Sequence, residues 1–248
     1  MRRFFIAPSE IHDSEGIIRG EEARHILQVL RLKPGKKIAL FDGTGNIYDA
    51  DITSTTKKEV LVTISSSLKE TERPPFLHLG MALLTGKKME LVVQKATELG
   101  VKTIQPFISR YNTAQEITGN KGQRLQKISA EACKQCGRPV PPVIKPLLNF
   151  DQLIADPENS GFKIIFYEDE NKVGLRDIET NLSAARPDSV LFLTGPEGGF
   201  TPDEVELARQ HGYTSSSLGT LVMRAETAAI SGAALLQYLL GNLNPVKH

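Results

Sequence analysis

Residues 190–238 read VLFLTGPEGGFTPDEVELARQHGYTSSSLGTLVMRAETAAISGAALLQY, and this stretch decides the fold. The apolar run at 190–193 predicts a buried strand, and the loop GPEGG at 195–199 follows it directly. Glycine at a strand end lets the main chain turn sharply and approach a ligand closely. A second loop at 218–224 precedes a long segment rich in alanine and leucine.

The glycine loop lacks the marks of a phosphate site. The pattern G-x-G-x-x-G is absent, and no Gly-Lys-Ser/Thr follows, so neither a dinucleotide fingerprint nor a P-loop is indicated. The loop is either a tight turn without a ligand or the wall of a site whose guest has no phosphate. Thr201, Pro202 and Glu204 then predict the capped start of a helix.

The segment after Pro75 alternates strands with helices, which predicts an α/β fold: a parallel sheet with helices on both faces. The run at 163–167 has the continuous apolar character of a strand covered on both sides. Predicted strands lie at 76–84, 103–108, 143–145, 163–167 and 190–193, and predicted helices at 89–99, 123–136 and after Thr201.

The first seventy residues predict a small barrel of short strands with one helix. The strands are predicted at 2–6, 37–41, 46–53 and 59–65, and the helix at 21–30. The polar, proline-rich segment 71–75 predicts a linker. We therefore expect two domains, 1–70 and 71–248.

Composition is that of an ordinary soluble globular protein, with 40% apolar and 24% charged residues and a net charge of +1. Residues 101–150 carry eight Lys/Arg and two Glu, whereas 151–204 carry four Lys/Arg and twelve Asp/Glu. This asymmetry indicates either a positive face for an anionic partner or two surfaces that neutralise each other across a dimer. We expect a cytoplasmic protein without signal peptide or membrane span. Cys133 and Cys136 predict packing rather than a metal site, and no metal is expected.

Four motifs occur in order: MELVVQKATELGV at 89–101, EACKQCGR at 131–138, GPEGGF at 195–200, and LG at 218–219 followed by RAETA at 224–228. Together they closely resemble the ribosomal RNA small-subunit methyltransferase E family over nearly the whole chain. The resemblance implies a knotted SPOUT fold with a PUA-like β-barrel RNA-binding domain at 1–70 and a carboxyl-terminal trefoil knot at 71–248. It also implies a homodimer and methylation of uridine N3 in small-subunit (16S) ribosomal RNA within the assembled subunit.

The implied cofactor, S-adenosylmethionine, has an adenine, a ribose and a sulfonium but no phosphate, which agrees with the absence of a phosphate-binding motif from the glycine loop. It needs an apolar slot and close backbone groups. The candidate cofactor-binding residues are Tyr167, Leu193, Gly195, Glu197, Gly198, Gly199, Leu218, Gly219, Leu221, Met223 and Thr227. The resemblance also implies that the loops after three strands converge on this cofactor.

Two residues of the RAETA motif are the catalytic candidates. The N3 proton of uridine is weakly acidic, so its removal needs a proton acceptor or stabilisation of the anion. Arg224 is the candidate for stabilising negative charge, and Glu226 the candidate proton acceptor. Glu226 is equally compatible with a glutamate that only stabilises a helix start.

The candidate RNA-binding residues are basic and occur in both domains. They are Arg2, Arg3, Arg24, Arg31, Lys33, Arg110, Arg124 and Arg138. The family often has Glu-Arg-Ser where this chain has SRYN at 109–112, so the surroundings of Arg110 differ. Three alternatives stay open: a ribose 2′-O RNA methyltransferase of the same superfamily, a non-catalytic RNA-binding protein and, with least support, a nucleotide-binding oxidoreductase.

Overall fold

The protein, seen in a computed structural model, is described over residues 2–113, 120–156 and 161–244. It divides into two compact units. Unit 1 comprises Met1–Glu72 and Ala130–Pro141, and unit 2 comprises Arg73–Ser129 and Pro142–His248. No helix within the described ranges is long and apolar enough to cross a membrane.

Unit 1 is built on a six-stranded sheet with the order β1-β4-β5-β6-β3-β2. Its strands are β1 (Arg3–Phe5), β2 (Ile11–His12), β3 (Glu15–Ile18), β4 (Lys37–Phe41), β5 (Asn46–Thr55) and β6 (Val60–Lys69). All of its pairings are antiparallel except the one between β1 and β4. A 3-10 turn at Pro8–Glu10 precedes β2.

The helix predicted at 21–30 is two short pieces. α1 (Gly20–Arg24) continues into a π-helical turn, His25–Val29. Ala23 and Ile26 are fully buried here against the sheet, as the helical spacing predicts. The strands β2 and β3 escaped prediction because two and four residues carry too little periodicity.

Unit 2 carries a seven-stranded sheet in which every pairing is parallel, as predicted. The strand order is β10-β8-β7-β12-β11-β13, with β9 paired to β8. The strands are β7 (Phe76–Ala82), β8 (Thr103–Ile108), β9 (Val143–Ile144), β10 (Leu148–Asn149), β11 (Phe162–Phe166), β12 (Ser189–Thr194) and β13 (Thr214–Ser216). The helices are α2 (Lys88–Glu98), α3 (Lys121–Cys136), α4 (Phe150–Ala155), α5 (Leu175–Ala185), α6 (Pro202–Gln210) and α7 (Ala225–Leu239).

Helices cover both faces of this sheet, which confirms the predicted layering. Along β12, Val190 and Phe192 pack in a cluster with α2, α5 and α7, whereas Leu191 and Leu193 pack in a second cluster with α4 and α6. Successive residues of a strand point to opposite faces, so an unbroken apolar run serves both clusters.

The end of α3 belongs to unit 1, although the helix begins in unit 2. Within unit 1, Lys134 forms ion pairs with Glu22 and Glu131, and Arg138 forms one with Glu72. Nothing in the sequence indicates that residues 130–141 pack with the amino-terminal strands.

The cap of α6 forms as predicted. The Thr201 hydroxyl accepts a hydrogen bond from the Glu204 amide at 3.2 Å, and the Glu204 carboxylate accepts one from the Thr201 amide at 2.9 Å. Pro202 occupies the first turn. This reciprocal bonding fixes the direction in which the chain leaves the glycine loop.

Replacing Thr201 with alanine removes one side of this cap. We expect a loss of about 1 kcal/mol of stability and a melting temperature lower by about 2–4 °C. Differential scanning calorimetry measures the shift. Thr180→Ala is the control, because Thr180 is exposed and bonds only within α5. Equal shifts for the two variants would contradict the capping role.

Candidate functional site

Three loops at the carboxyl ends of β11, β12 and β13 line one cavity in unit 2. The cavity and its mouth hold about 700 Å³ free of protein atoms, within the size range of small-molecule sites. The implied convergence of the three loops is therefore present. Eight of the predicted cofactor-binding residues line it: Tyr167, Gly195, Glu197, Gly199, Leu218, Gly219, Leu221 and Met223.

The glycine loop forms the cavity wall with bare backbone. Gly199 has φ +72°, and a Cβ there would overlap the carboxylate of Glu168. A Cβ on Gly195 would lie 3.2 Å from the ring of Phe200. Glycine is therefore required at Gly199 both by its backbone angle and by the space that Glu168 occupies.

The same loop is anchored on the side away from the cavity. The Glu204 carboxylate accepts a hydrogen bond from the Arg110 amide at 2.8 Å. The rings of Phe200 and Phe107 stack with their centroids 6.2 Å apart. These contacts hold the loop to the end of β8, so its backbone has a defined position before any ligand binds.

Glu197 connects the cavity to the start of α2. Its carboxylate accepts hydrogen bonds from Lys88 Nζ at 2.8 Å and from the Thr85 hydroxyl at 3.2 Å. Partial burial raises the pKa of Glu197. The hydrogen bonds from Lys88, from the Glu197 backbone amide and from Thr85, together with the charge of Lys88, outweigh burial, and the net pKa lies below its ordinary value of 4.5. Glu197 is therefore ionised at neutral pH and adds negative charge to the cavity.

Replacing Lys88 with alanine should raise the pKa of Glu197. Because the folded-state pKa is depressed, the pair stabilises the protein above the unfolded pKa, and this contribution disappears as pH falls through the folded pKa. We expect a loss of about 0.5 kcal/mol at pH 7 that disappears once the pH is below the pKa of Glu197 in the folded protein. Urea unfolding at pH 7 and in acid, below that pKa, measures it. Lys87→Ala, an exposed neighbour, is the control, and a loss that is independent of pH would contradict the assignment.

The third loop presents apolar side chains to solvent. Leu221 and Val222 are 80% and 83% exposed, and Met223 is 36% exposed. Adjacent large apolar side chains in the open at a cavity mouth indicate a surface that a ligand or partner covers.

The catalytic candidates lie at the start of α7, beside this loop. Arg224 is the exposed N-cap residue, between Met223 and Ala225, which both line the cavity. Glu226 is in the first turn, and one of its carboxylate oxygens is buried with no hydrogen-bond partner among the described residues. A carboxylate near a helix N-terminus is favoured by the helix dipole. Leaving a carboxylate oxygen buried without a hydrogen bond costs free energy.

Three predicted cofactor residues do not line the cavity. Leu193 is fully buried in the core cluster with Phe107, because its position on β12 points to the face away from the cavity. Gly198 is exposed and lies against Tyr111. Thr227 is exposed on α7. The structure therefore places the side chain of Leu193, a predicted cofactor-binding residue, in the core and not in the cavity.

Glu168 lines the cavity, although it was not among the predicted cofactor-binding residues. It follows Tyr167 directly after the buried strand β11. This position at the carboxyl end of a parallel strand is the sequence feature that could have identified Glu168 as a site residue. Pro196, Ser217, Thr220, Val222 and Ala228 also line the cavity without having been predicted.

The predicted RNA-binding residues differ in availability. Arg138 is paired with Glu72 and its side chain is only 8% exposed, so it is not available to bind RNA. Arg124 is exposed but paired with Glu90 at 2.8 Å. Arg3 donates a hydrogen bond to the Gly137 carbonyl. The exposed members of the set are Arg2, Arg24, Arg31 and Lys33 in unit 1 and Arg110 and Arg124 in unit 2.

Cys133 is buried and Cys136 is exposed, both without a disulfide. No group of three or more His, Cys, Asp or Glu side chains within the described ranges is arranged to hold a metal ion.

Comparison with known proteins gives matches over nearly the whole length. The family described as "RNA methyltransferase domain" matches residues 71–237, and "RNA methyltransferase PUA domain" matches residues 18–65. The chain is 31% identical over 227 residues to the ribosomal RNA small subunit methyltransferase E of Buchnera aphidicola, covering 90% of this chain and 87% of that protein.

Two solved structures are similar in both fold and sequence. One is a putative methyltransferase from Legionella pneumophila in complex with its cofactor SAM, with a TM-score of 0.84, 31% identity and coverage of 95% and 96% of the two chains. The other is a ribosomal RNA small subunit methyltransferase E from Neisseria gonorrhoeae bound to S-adenosyl methionine, with a TM-score of 0.82 and 28% identity over 98% of this chain and 100% of that one.

Proposed function

This chain belongs to the ribosomal RNA small subunit methyltransferase E family, and from that premise we propose that it uses S-adenosylmethionine to methylate N3 of a uridine in small-subunit (16S) ribosomal RNA. The observation that carries the proposal is the cavity where the loops after β11, β12 and β13 meet. It combines apolar side chains, bare glycine backbone and carboxylates, without the features of a phosphate site.

The lining residues fit such a cofactor. Leu218, Leu221 and Met223 supply an apolar slot of the kind an adenine needs. The carboxylate of Glu168 supplies an acceptor for ribose hydroxyls, and that of Glu197 supplies negative charge toward a cation. When bound, the cofactor supplies an electrophilic methyl group on a sulfonium.

The residues beside the cavity mouth fit the chemistry of a uridine. Arg224 projects from the N-cap of α7, where its guanidinium can hold the negative charge that develops on the uracil carbonyls as N3 loses its proton. Glu226, in the first turn of α7, is the proposed acceptor of that proton. A carboxylate in this role needs the base within hydrogen-bond reach, and RNA binding must provide that position.

We further propose a division of labour in which residues 1–70 act as a PUA-like RNA-binding domain and residues 71–248 as a SPOUT methyltransferase domain with a carboxyl-terminal trefoil knot. The match of residues 18–65 to an RNA methyltransferase PUA domain supports the first role. The expected place of action is the cytoplasm, on ribosomal RNA within the assembled small subunit.

A homodimer through α2 and α7 is also part of the proposal. The two helices pack on one another, and Gln237 of α7 donates a hydrogen bond to the Leu99 carbonyl at the end of α2 at 2.6 Å. Leu91, Leu235 and Tyr238 are exposed apolar side chains on this pair. Light scattering after size exclusion tests the dimer, and a monomer at micromolar concentration would contradict it.

Transfer of labelled methyl from S-adenosylmethionine tests the activity. Small ribosomal subunits and naked 16S RNA from a strain that lacks this modification are the two substrates, and nucleoside mass spectrometry identifies the product. The proposal predicts 3-methyluridine, with subunits as the better substrate. A methyl on ribose would identify a 2′-O methyltransferase, and no transfer to either substrate would favour a non-catalytic RNA-binding role.

A further inference from the structure

A second cleft, within unit 1, lies between the start of β1, the π-helical turn His25–Val29 and the end of α3. Its walls include Arg2, Arg3, His25 and Lys134, and none of the described residues that line it is acidic. Unit 1 as a whole is nearly neutral: residues 1–72 have eleven Lys/Arg and eleven Asp/Glu, and 130–141 have two Lys/Arg and one Glu. The positive charge at the cleft is therefore local.

The end of α3 is fixed as one wall of this cleft. Lys134 pairs with Glu22 of α1 and with Glu131, and the Lys134 and Glu22 side chains are 15% and 14% exposed. Burial lowers the pKa of Lys134, but the hydrogen bonds that Lys134 donates to Glu131 and Glu22, with the negative charges of these carboxylates, outweigh it, and the net pKa is raised. The charge of Lys134 is thus used within the cleft wall, and Arg2 and Arg3 are the cations available to bind a ligand.

The side chains of Arg2 and Arg3 differ in how firmly they are held before an anion binds. Arg3 donates one hydrogen bond to the Gly137 carbonyl, which positions its guanidinium against the end of α3. A guanidinium has five N–H donors, so most of them remain for another acceptor. Arg2 is exposed, and no partner for its side chain is seen among the described residues. A positioned arginine beside an exposed one suits the forked geometry of a phosphate.

His25 adds an aromatic surface to the same cleft. Its ring meets Phe4 edge-on, with centroids 6.0 Å apart, which leaves the ring exposed while its orientation is held. The π-helical turn that begins at His25 is a rare backbone form that occurs often at functional sites. Proteins bind unstacked RNA bases by stacking them on such rings.

We propose that this cleft holds one phosphodiester of the RNA substrate between Arg2 and Arg3, with the adjoining base against the ring of His25. The proposal rests on the proposed function for the identity of the ligand. Unit 1 would then contact the RNA at a defined place, and residues 130–141 would form one wall of that binding site. Arg24, Arg31 and Lys33 then contribute only general positive charge.

Cys136, which lines the cleft, allows occupancy of the cleft to be measured by chemical labelling. The chain has two cysteines, and Cys136 is exposed in the cleft, whereas Cys133 is fully buried. Burial raises the pKa of Cys133 to about 12, so its reactive thiolate is scarce. Iodoacetamide should therefore label Cys136 selectively, as peptide mass spectrometry can verify.

A single-stranded, uridine-containing RNA oligonucleotide should slow this labelling. At an RNA concentration ten times its Kd, the labelling rate should fall about ten-fold, because only about one cleft in ten remains free of RNA. Inorganic phosphate at the same phosphate concentration should have no effect, since it lacks the base. An unchanged rate with saturating RNA would overturn the proposal. Protection by phosphate alone equal to that by RNA would overturn the assignment of the base to His25.

Substitution provides an independent measurement. Arg2→Ala should weaken RNA binding about five- to ten-fold in fluorescence anisotropy and reduce the slope of log K against log salt by about 1. Lys58→Ala removes the same charge from an exposed position of unit 1 outside the cleft and should change affinity less than two-fold, within the effect of a general surface charge. Equal effects of the two variants would overturn the proposal.

The cleft and the methyl-transfer activity can fail separately. If RNA protects Cys136 but no RNA is methylated, the cleft stands and the proposed function fails. If methylation proceeds with Arg2→Ala at unchanged KM for RNA, the function stands and the cleft assignment fails. S-adenosylmethionine binding to unit 2 should be unchanged by Arg2→Ala in either case, which verifies that the variant is folded.

Discussion

Replacing Arg224 with alanine is expected to lower kcat for methyl transfer about 100-fold or more while leaving the affinity for S-adenosylmethionine within about two-fold. The guanidinium lies at the N-cap of α7, outside the cavity lining, so cofactor contacts do not depend on it. Arg224 is proposed to stabilise the negative charge on the uracil base. This charge develops only as N3 loses its proton. Removal of one such group typically costs two to three orders of magnitude in rate.

Two controls accompany this measurement. Arg73→Ala removes an exposed arginine of the same unit and should leave kcat unchanged within about two-fold. Arg224→Lys keeps the charge but loses the planar fork, so an intermediate rate is expected. A normal kcat with a raised KM for RNA would move Arg224 from charge stabilisation to RNA binding.

Replacing Gly199 with alanine should weaken S-adenosylmethionine binding by about ten-fold or more. The added Cβ would overlap the Glu168 carboxylate, so either the loop or Glu168 must leave its place in the cavity. The backbone angle, φ +72°, adds about 1–2 kcal/mol of strain for any residue with a side chain. Isothermal titration calorimetry measures the affinity.

Gly212→Ala separates obstruction from strain. Gly212 has a similar φ of +80°, but the nearest atoms to an added Cβ belong to Lys163 and are 3.8 Å away, outside the cavity lining. We expect both variants to lose stability and only Gly199→Ala to lose cofactor affinity. Similar cofactor affinities for both variants would contradict the assignment of Gly199 to the site wall.

Local signals in the sequence were sufficient for much of unit 2. The cap at Thr201 and the apolar run ending at Leu193 are features of neighbouring residues, so α6 and β12 were predicted correctly. The strand β13 was not predicted, because TSS at 214–216 has no apolar pattern. The alternation that assigns Leu193 to the core and not to the cavity is invisible in a strand buried on both faces.

Contacts between residues far apart in sequence could not be predicted from one chain. Glu197 and Lys88 are 109 positions apart, and Arg138 and Glu72 are 66 apart. The first contact pairs Glu197, a predicted cofactor-binding residue, with a lysine. The second contact holds Arg138, a predicted RNA-binding residue, where solvent hardly reaches it. In both cases the residue type indicated the chemistry, whereas the fold decided whether the side chain was available.

The central claim is that the turns after three parallel strands enclose S-adenosylmethionine, and hydrogen exchange measures this most directly. Amide exchange followed by mass spectrometry, with and without the cofactor, reports which backbone segments it covers. Slower exchange is predicted at 167–168, 194–199 and 217–224, with no change across β1–β6. Protection centred elsewhere, with these three segments exchanging as fast as in the free protein, would contradict it.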